Sequence, residues 1–188
     1  NEVVRKCPKP VIAQVEGYCI GGANHLAYTC DFTITADTGI FGHNGARVGS
    51  PNHSWPVALA ALVIGIKRAK EMHILLPRYT AQEALQMGLV NKVVPASKLE
   101  EEVDKWCEQI FLVSPSCIQL RKASFNALID MITAYTGPYG DLLRKMHPKF
   151  VSSEERKECF QAFFEKRKPM CFKKYVEEHS KPSPAMGT

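Results

Sequence analysis

With 188 residues, 45% of them hydrophobic and 23% charged, the chain has the length and apolar content for one packed domain, which excludes a multidomain assembly, a disordered segment and a fibrous repeat. Lys and Arg outnumber Asp and Glu by 24 to 19, a net charge of +5, which leans toward anionic partners without the concentrated basic stripe of a nucleic-acid binder. The longest uncharged apolar run, Trp55 to Ile66, is too short for a bilayer, which takes about 20 apolar residues.

Asn1 to Cys7 reads as the tail of a helix, so the chain is expected to be a fragment. After Pro8 and Pro10, Val11, Ala13 and Val15 alternate with Ile12, Gln14 and Glu16, which predicts a strand ending at Gly17. Tyr18-Cys19-Ile20-Gly21-Gly22 leads into a short helical segment, Ala23 to Thr29. Asp31 to Ala36 and then Ile40-Phe41-Gly42 predict further strands. Ser54 is a candidate N-cap for an apolar helix over Val57 to Ile64 that stops at Gly65. Ile66 to Leu76 predicts a second helix closed by Pro77.

Thr80-Ala81-Gln82-Glu83 is a capping box, Gly88 follows the short helix it opens, and Leu89 to Val94 predicts a strand. Leu99, Val103, Trp106 and Ile110 share one face of an amphipathic helix. Ser114-Pro115 opens the next helix, and the glycines and prolines between Thr136 and Pro148 predict loops around a short helix. Ser152 to Glu155 opens a final helix that carries Phe160, Phe163 and Phe164 and ends at Pro169. Seven cysteines, an odd number with no close pair, argue against a disulfide framework and a zinc knuckle; they predict reduced thiols in a cytoplasm.

The segment from Gly17 to Ala23 aims unpaired N–H groups and the positive end of a helix at one point, an anion site in geometry. Its glycines fit neither G-x-G-x-x-G nor a phosphate loop, and alone it stands evenly between a plain turn and a functional one. The wider stretch Lys9 to Gly22, continuing through Cys30-Asp31-Phe32-Thr33-Ile34 to Phe41-Gly42, resembles the enoyl-CoA hydratase/isomerase (crotonase) superfamily. The likeness extends through Ala81 to Leu85, Met87 to Asn91 and Phe164 to Pro169. Phe41 to Ser50 looks most like the naphthoate synthase branch and its ring-cleaving ketocyclohexane-carboxyl-CoA hydrolase relatives.

The resemblance implies an α/β fold: a crotonase-type ββα spiral over 1–95, lacking its N-terminal part, then a helical oligomerisation and CoA-capping region over 96–179 and a disordered tail over 180–188. It implies homotrimers or hexamers, an acyl-CoA substrate, no tightly bound cofactor, no metal, and neither nucleic acid nor membrane as partner. The Gly22 amide would supply one donor of an oxyanion hole, where a side chain would crowd the ligand. The second donor, and much of the adenine pocket, would lie in a segment of about a hundred residues preceding Asn1.

Hydratases of this family use two glutamates, and those positions fall on His25 and Gly45, so simple hydration is disfavoured. Gly45 matches the naphthoate synthase branch, leaving room for bicarbonate or a bulky ring. That branch has glutamine and aspartate at the places of His43 and Asn52. His53 ranks first as general base, then His43, then His25, each weighed against a hydrogen-bonded structural histidine. Ser50 and Asn52 either line the acyl pocket or cap the helix. Tyr18, Cys19, Ile20 and Gly21 would touch the pantetheine arm, although Tyr18 also suits a core, and Asp31 reads as structural. Lys166 and Phe172 would meet CoA phosphate and adenine, or form only a solvated basic face.

The expected activity is thus a lyase or hydrolase making or breaking a C–C bond in a cyclic acyl-CoA. The rivals are a hydratase or isomerase using His53, and a non-catalytic acyl-CoA-binding protein.

Overall fold

The computed structural model describes residues 1–51 and 55–180, with the backbone alone at 133 and 135–144. The chain divides into two compact units, one of residues 1–44 and 53–140, the other of 45–52 and 141–188.

The first unit opens with α1 (Glu2–Lys6) and then alternates strands with short helices: β1 (Ile12–Val15), β2 (Tyr18–Ile20), α2 (Gly22–Ala27), β3 (Phe32–Ala36) and β4 (Ile40–Gly42). It continues with α3 (Trp55–Ile64), α4 (Ile66–Lys70), a π-helical turn over Glu71–Leu75, β5 (Arg78–Thr80), α5 (Ala81–Gln86), β6 (Lys92–Val94) and α6 (Leu99–Phe111). Two small sheets result. In the order β1-β3-β6 all neighbours are parallel; in β2-β4-β5 the first pair is parallel and the second antiparallel.

The main core lies behind the second sheet, where Cys19, Phe41 and Tyr79 meet Leu59, Ala60 and Ile64 of α3, together with Met72 and Leu89. A smaller one seats Leu99, with Val103 and Trp106, against Ile34 and Ala36. The capping box forms as the sequence predicts, since Thr80 Oγ1 accepts from the Glu83 amide and the Glu83 carboxylate accepts from the Thr80 amide. Asp31 is structural: its carboxylate accepts from the Val11 amide at 2.7 Å and from the buried Lys122 ammonium. Arg5, 4% exposed, ties α1 to the long helix α7 (Pro115–Met146) through Asp130 and Asn126.

Several expectations need correction. The backbone stays helical through Gly137, Pro138 and Gly140, so local breaker residues are overridden where loops around a short helix were expected. A further helix follows Pro169, because α8 (Glu154–Phe164) is succeeded by α9 (Cys171–His179). Arg78–Thr80 is a strand that no alternation announced; it pairs with β4 through Gly42, where a Cβ would lie 2.7 Å from the Pro77 carbonyl. The expectation of seven reduced thiols fails for one pair. Cys159 and Cys171, with Cα atoms 5.5 Å apart, are joined as a disulfide between α8 and α9. The tight connection of the two helices creates that proximity, for a spacing of twelve residues does not announce it. Among the described residues no helix is long and apolar enough to cross a membrane.

Candidate active site

The glycine turn is built by pairing. β2 runs parallel to β4 with Ile20 opposite Gly42, and the Gly21 amide donates to the Gly42 carbonyl at 2.9 Å. Gly21 then takes φ 63° and ψ −118°, a conformation costly for any residue with a Cβ, and the chain swings directly into α2. Gly22 is the first residue of that helix, so its N–H has no partner in a preceding turn. Among the described residues nothing accepts from it. Gly22 is exposed, and a Cβ built there meets no protein atom within 4 Å, so any demand for glycine at this position comes from a ligand and not from packing. Of the residues leading into the turn, Tyr18 is 80% exposed, which removes the core alternative for it. Cys19 is buried, its thiol pushed up to about 11 by burial. Ile20 and Gly21 are half-buried beside it.

One turn into α2, His25 points into the protein and meets His43, which follows β4, with ring centroids 4.4 Å apart. A third ring completes the group: His73, from the π-helical turn, stacks on His43 at 4.1 Å and 21° and lies 5.8 Å from His25. No sequence motif pointed to His73. The Tyr28 hydroxyl gives its hydrogen to the Pro56 carbonyl at 2.9 Å, so His25 Nδ1 must be the donor in its contact with the Tyr28 oxygen. Asn24, fully buried, directs its side-chain nitrogen at both the Gly42 carbonyl (3.3 Å) and His43 Nε2 (3.4 Å), linking the glycine turn to the histidines. Arg78 donates to the His43 carbonyl at 3.0 Å.

Burial decides the charge of this group. It pushes His25 down to about 4, assisted by His73, and His43 down to about 3, assisted by His73, His25 and Arg78; it lowers His73 as well. All three are neutral imidazoles at neutral pH, hydrogen-bonding groups of low basicity. His43 and His73 stack, and His25 lies tilted to both. Among the described residues no group of His, Cys, Asp and Glu is arranged to hold a metal ion.

Asn52 and His53 lie outside the described residues. Gly45 and Ser50 belong to the second unit, where Gly45 precedes a short 3₁₀ turn over Ala46–Val48 and Ser50 is exposed. The Val48, Gly49 and Ser50 amides donate to carbonyls of that turn, at 3.1, 3.3 and 2.9 Å. Lys166, with φ 54°, and Phe172, 80% exposed, lie on the α8–α9 hairpin of the same unit. The hairpin is locked by Glu158, whose carboxylate accepts from both terminal nitrogens of Arg167 and from the Met170 amide.

The glycine turn between parallel strand and helix can be compared with known proteins. The family model described as enoyl-CoA hydratase/isomerase matches residues 2–174. The chain belongs to that family. Among solved structures, it is similar to a methylmalonyl-CoA decarboxylase in complex with 2-nitronate-propionyl-CoA, with a TM-score of 0.81 and 29% identity over 89% of this chain and 64% of that one. An enoyl-CoA hydratase from Mycobacterium avium subsp. paratuberculosis K-10 gives 0.75 and 27% over 89% and 67%. An enoyl-CoA hydratase from Bacillus anthracis gives 0.65 and 33% over 90% and 64%. The chain therefore spans about two thirds of the length of these relatives. Membership of the enoyl-CoA hydratase/isomerase family accords with the α/β fold and its C-terminal helices; these relatives do not single out the naphthoate synthase branch.

Proposed function

We propose that this family member, in its full-length form, breaks a C–C bond at the α-carbon of an acyl-CoA, with a thioester enolate as the leaving fragment. The electron pair of the breaking bond passes to the α-carbon and onto the thioester oxygen, where the Gly22 N–H stabilises it, and the enolate then takes up a proton at carbon. One preorganised donor of this kind lowers the barrier by about 3 kcal/mol. The observation that carries the reading is the neutral histidine group at the position where hydratases of the family hold a carboxylate. Imidazoles pushed down to about 4 and 3 are weak bases, which disfavours removal of an α-proton and favours a reaction in which bond cleavage itself delivers the enolate.

A cyclic acyl-CoA is the substrate class suggested by the sequence of Phe41 to Ser50. Where a ring carbonyl stands β to the thioester, water adds to that carbon, its bond to the α-carbon breaks with the electron pair forming the enolate, and the former carbonyl becomes the carboxylate of the ring-opened thioester. Tyr18 and Cys19 would follow the pantetheine arm, and Lys166 and Phe172 the adenosine end. Self-association as trimer or hexamer suits the exposed Phe111, Leu112, Leu120 and Phe125. A second reading, loss of CO₂ from an α-carboxylated acyl-CoA, is favoured by the similarity at TM-score 0.81 to the decarboxylase and by its needing neither base nor water.

The test gives the full-length protein three thioesters side by side: a cyclic β-oxoacyl-CoA, methylmalonyl-CoA and crotonyl-CoA. Turnover of the first supports ring cleavage, and turnover of the second supports decarboxylation. Hydration of crotonyl-CoA at a comparable rate contradicts both.

A further inference from the structure

His73 enters the site from a segment that is helical but irregular. Ile66–Lys70 is α-helical, and at Glu71 the ladder widens into a single π turn through Leu75, a device that recurs at functional sites. The changed register leaves the apolar Ile74 and Leu75 exposed and brings His73 inward beside Met72, which is fully buried. His73 Nε2 is shut off from solvent and has no hydrogen-bond partner among the described residues. Packing alone would be served better by an apolar ring, because a buried nitrogen without a partner is destabilising.

We propose that His73 is a positioning residue acting through His43: stacking fixes the angle of the His43 imidazole, and a proton on either ring excludes one from the other. The groups facing His43 agree. From α2 and its end come Asn24, His25 and Tyr28; from β5 comes Arg78; from the π turn comes His73. None is a carboxylate that could hold a charge on the ring. Glu71, on the same turn as His73, is engaged by Arg68 and Tyr79. Two protonated rings at van der Waals separation would repel strongly in so dry a place.

The inference rests on the proposed reading of His43 as a neighbour of the thioester, but its test needs no substrate. Long-range ¹H–¹⁵N spectra of the full-length protein give the charge and tautomer of each histidine across the pH range in which it stays folded. In His73→Phe, which keeps a ring and removes its charge, the pH at which His43 titrates rises by about one unit; in His73→Ala, which also admits water, it rises further. No change in His73→Phe overturns the proposal, whether or not His73→Ala shifts, since a ring that only fills space would behave alike as His or Phe. Should His73→Ala not fold, His73→Phe decides alone. Failure of all C–C cleavage with this shift intact would contradict the proposed function and leave the coupling of the two rings standing.

Discussion

The α8–α9 hairpin and the glycine turn handle buried polarity in opposite ways. In the α8–α9 hairpin, Glu158 is ionised and satisfied by Arg167 and the Met170 amide, which hold its carboxyl down at about 2. Around the glycine turn the polar groups are uncharged, held by stacking and by one amide, and two of them, Asn24 Oδ1 and His73 Nε2, are buried without a partner among the described residues. Paired charge locks a shape. Neutral polar groups left short of partners cost stability and are available to something else, which is the contrast expected between a scaffold and a site.

The largest effect that would sharpen this contrast belongs to Gly22. Proline suits the first position of a helix, removes the N–H and adds a ring where glycine leaves room. Gly22→Pro should therefore lower kcat by about 100- to 1,000-fold while circular dichroism and melting stay near wild type. Unchanged turnover would detach the turn from the chemistry.

A scaffold change in the same unit should do the reverse. Lys122→Met leaves Asp31 without its cation and should lower stability by about 2 to 3 kcal/mol, below the full cost of breaking a buried pair because the Asp31 side chain is 24% exposed. The loss would be read by urea unfolding, with kcat per folded molecule retained.

Acid should separate the two units. His25 and His43 titrate in the folded protein below their ordinary 6.5, so the unfolded chain takes up protons first; stability of the first unit is complete above pH 6.5 and falls as the pH drops toward 4 and then 3. Glu158 lies below its ordinary 4.5, so the stability it contributes to the hairpin is present above 4.5 and is lost as the pH falls through about 2. Amide protection factors should therefore decline first around the glycine turn and later in α8 and α9. Simultaneous loss would erase the distinction. Smallest of all, Lys157→Ala removes a solvent-exposed pair with Glu154 and should leave the melting temperature unchanged.

Much of the fold is legible because its signals are local. The capping box at Thr80, the stop at Gly65 with φ 78° and the 3.6-residue spacing of Leu99, Val103 and Trp106 each specify an element without help from distant residues. The Gly21-Gly22 turn is legible for the same reason. What escapes reading depends on contacts distant in sequence. Ile66 to Leu76 reads as one regular helix, and nothing in its period announces the π turn that delivers His73; the one available hint is that Ile74 and Leu75 are apolar yet out of step with Ala69 and Met72. The helix through Gly137 and Pro138 contradicts local preference, and the Cys159–Cys171 bridge depends on how α8 and α9 are connected.

The central claim is that charge gathers on a thioester oxygen beside the Gly22 amide, and affinity for a stable mimic of that state tests it most directly. An acyl-CoA nitronate carries the enolate's charge, and the matching saturated acyl-CoA does not. Calorimetry on the full-length protein should find the nitronate bound about 100-fold or more tightly than the neutral thioester, with that preference lost in Gly22→Pro. Equal affinity for the two ligands, or a preference that survives the proline, would contradict the account.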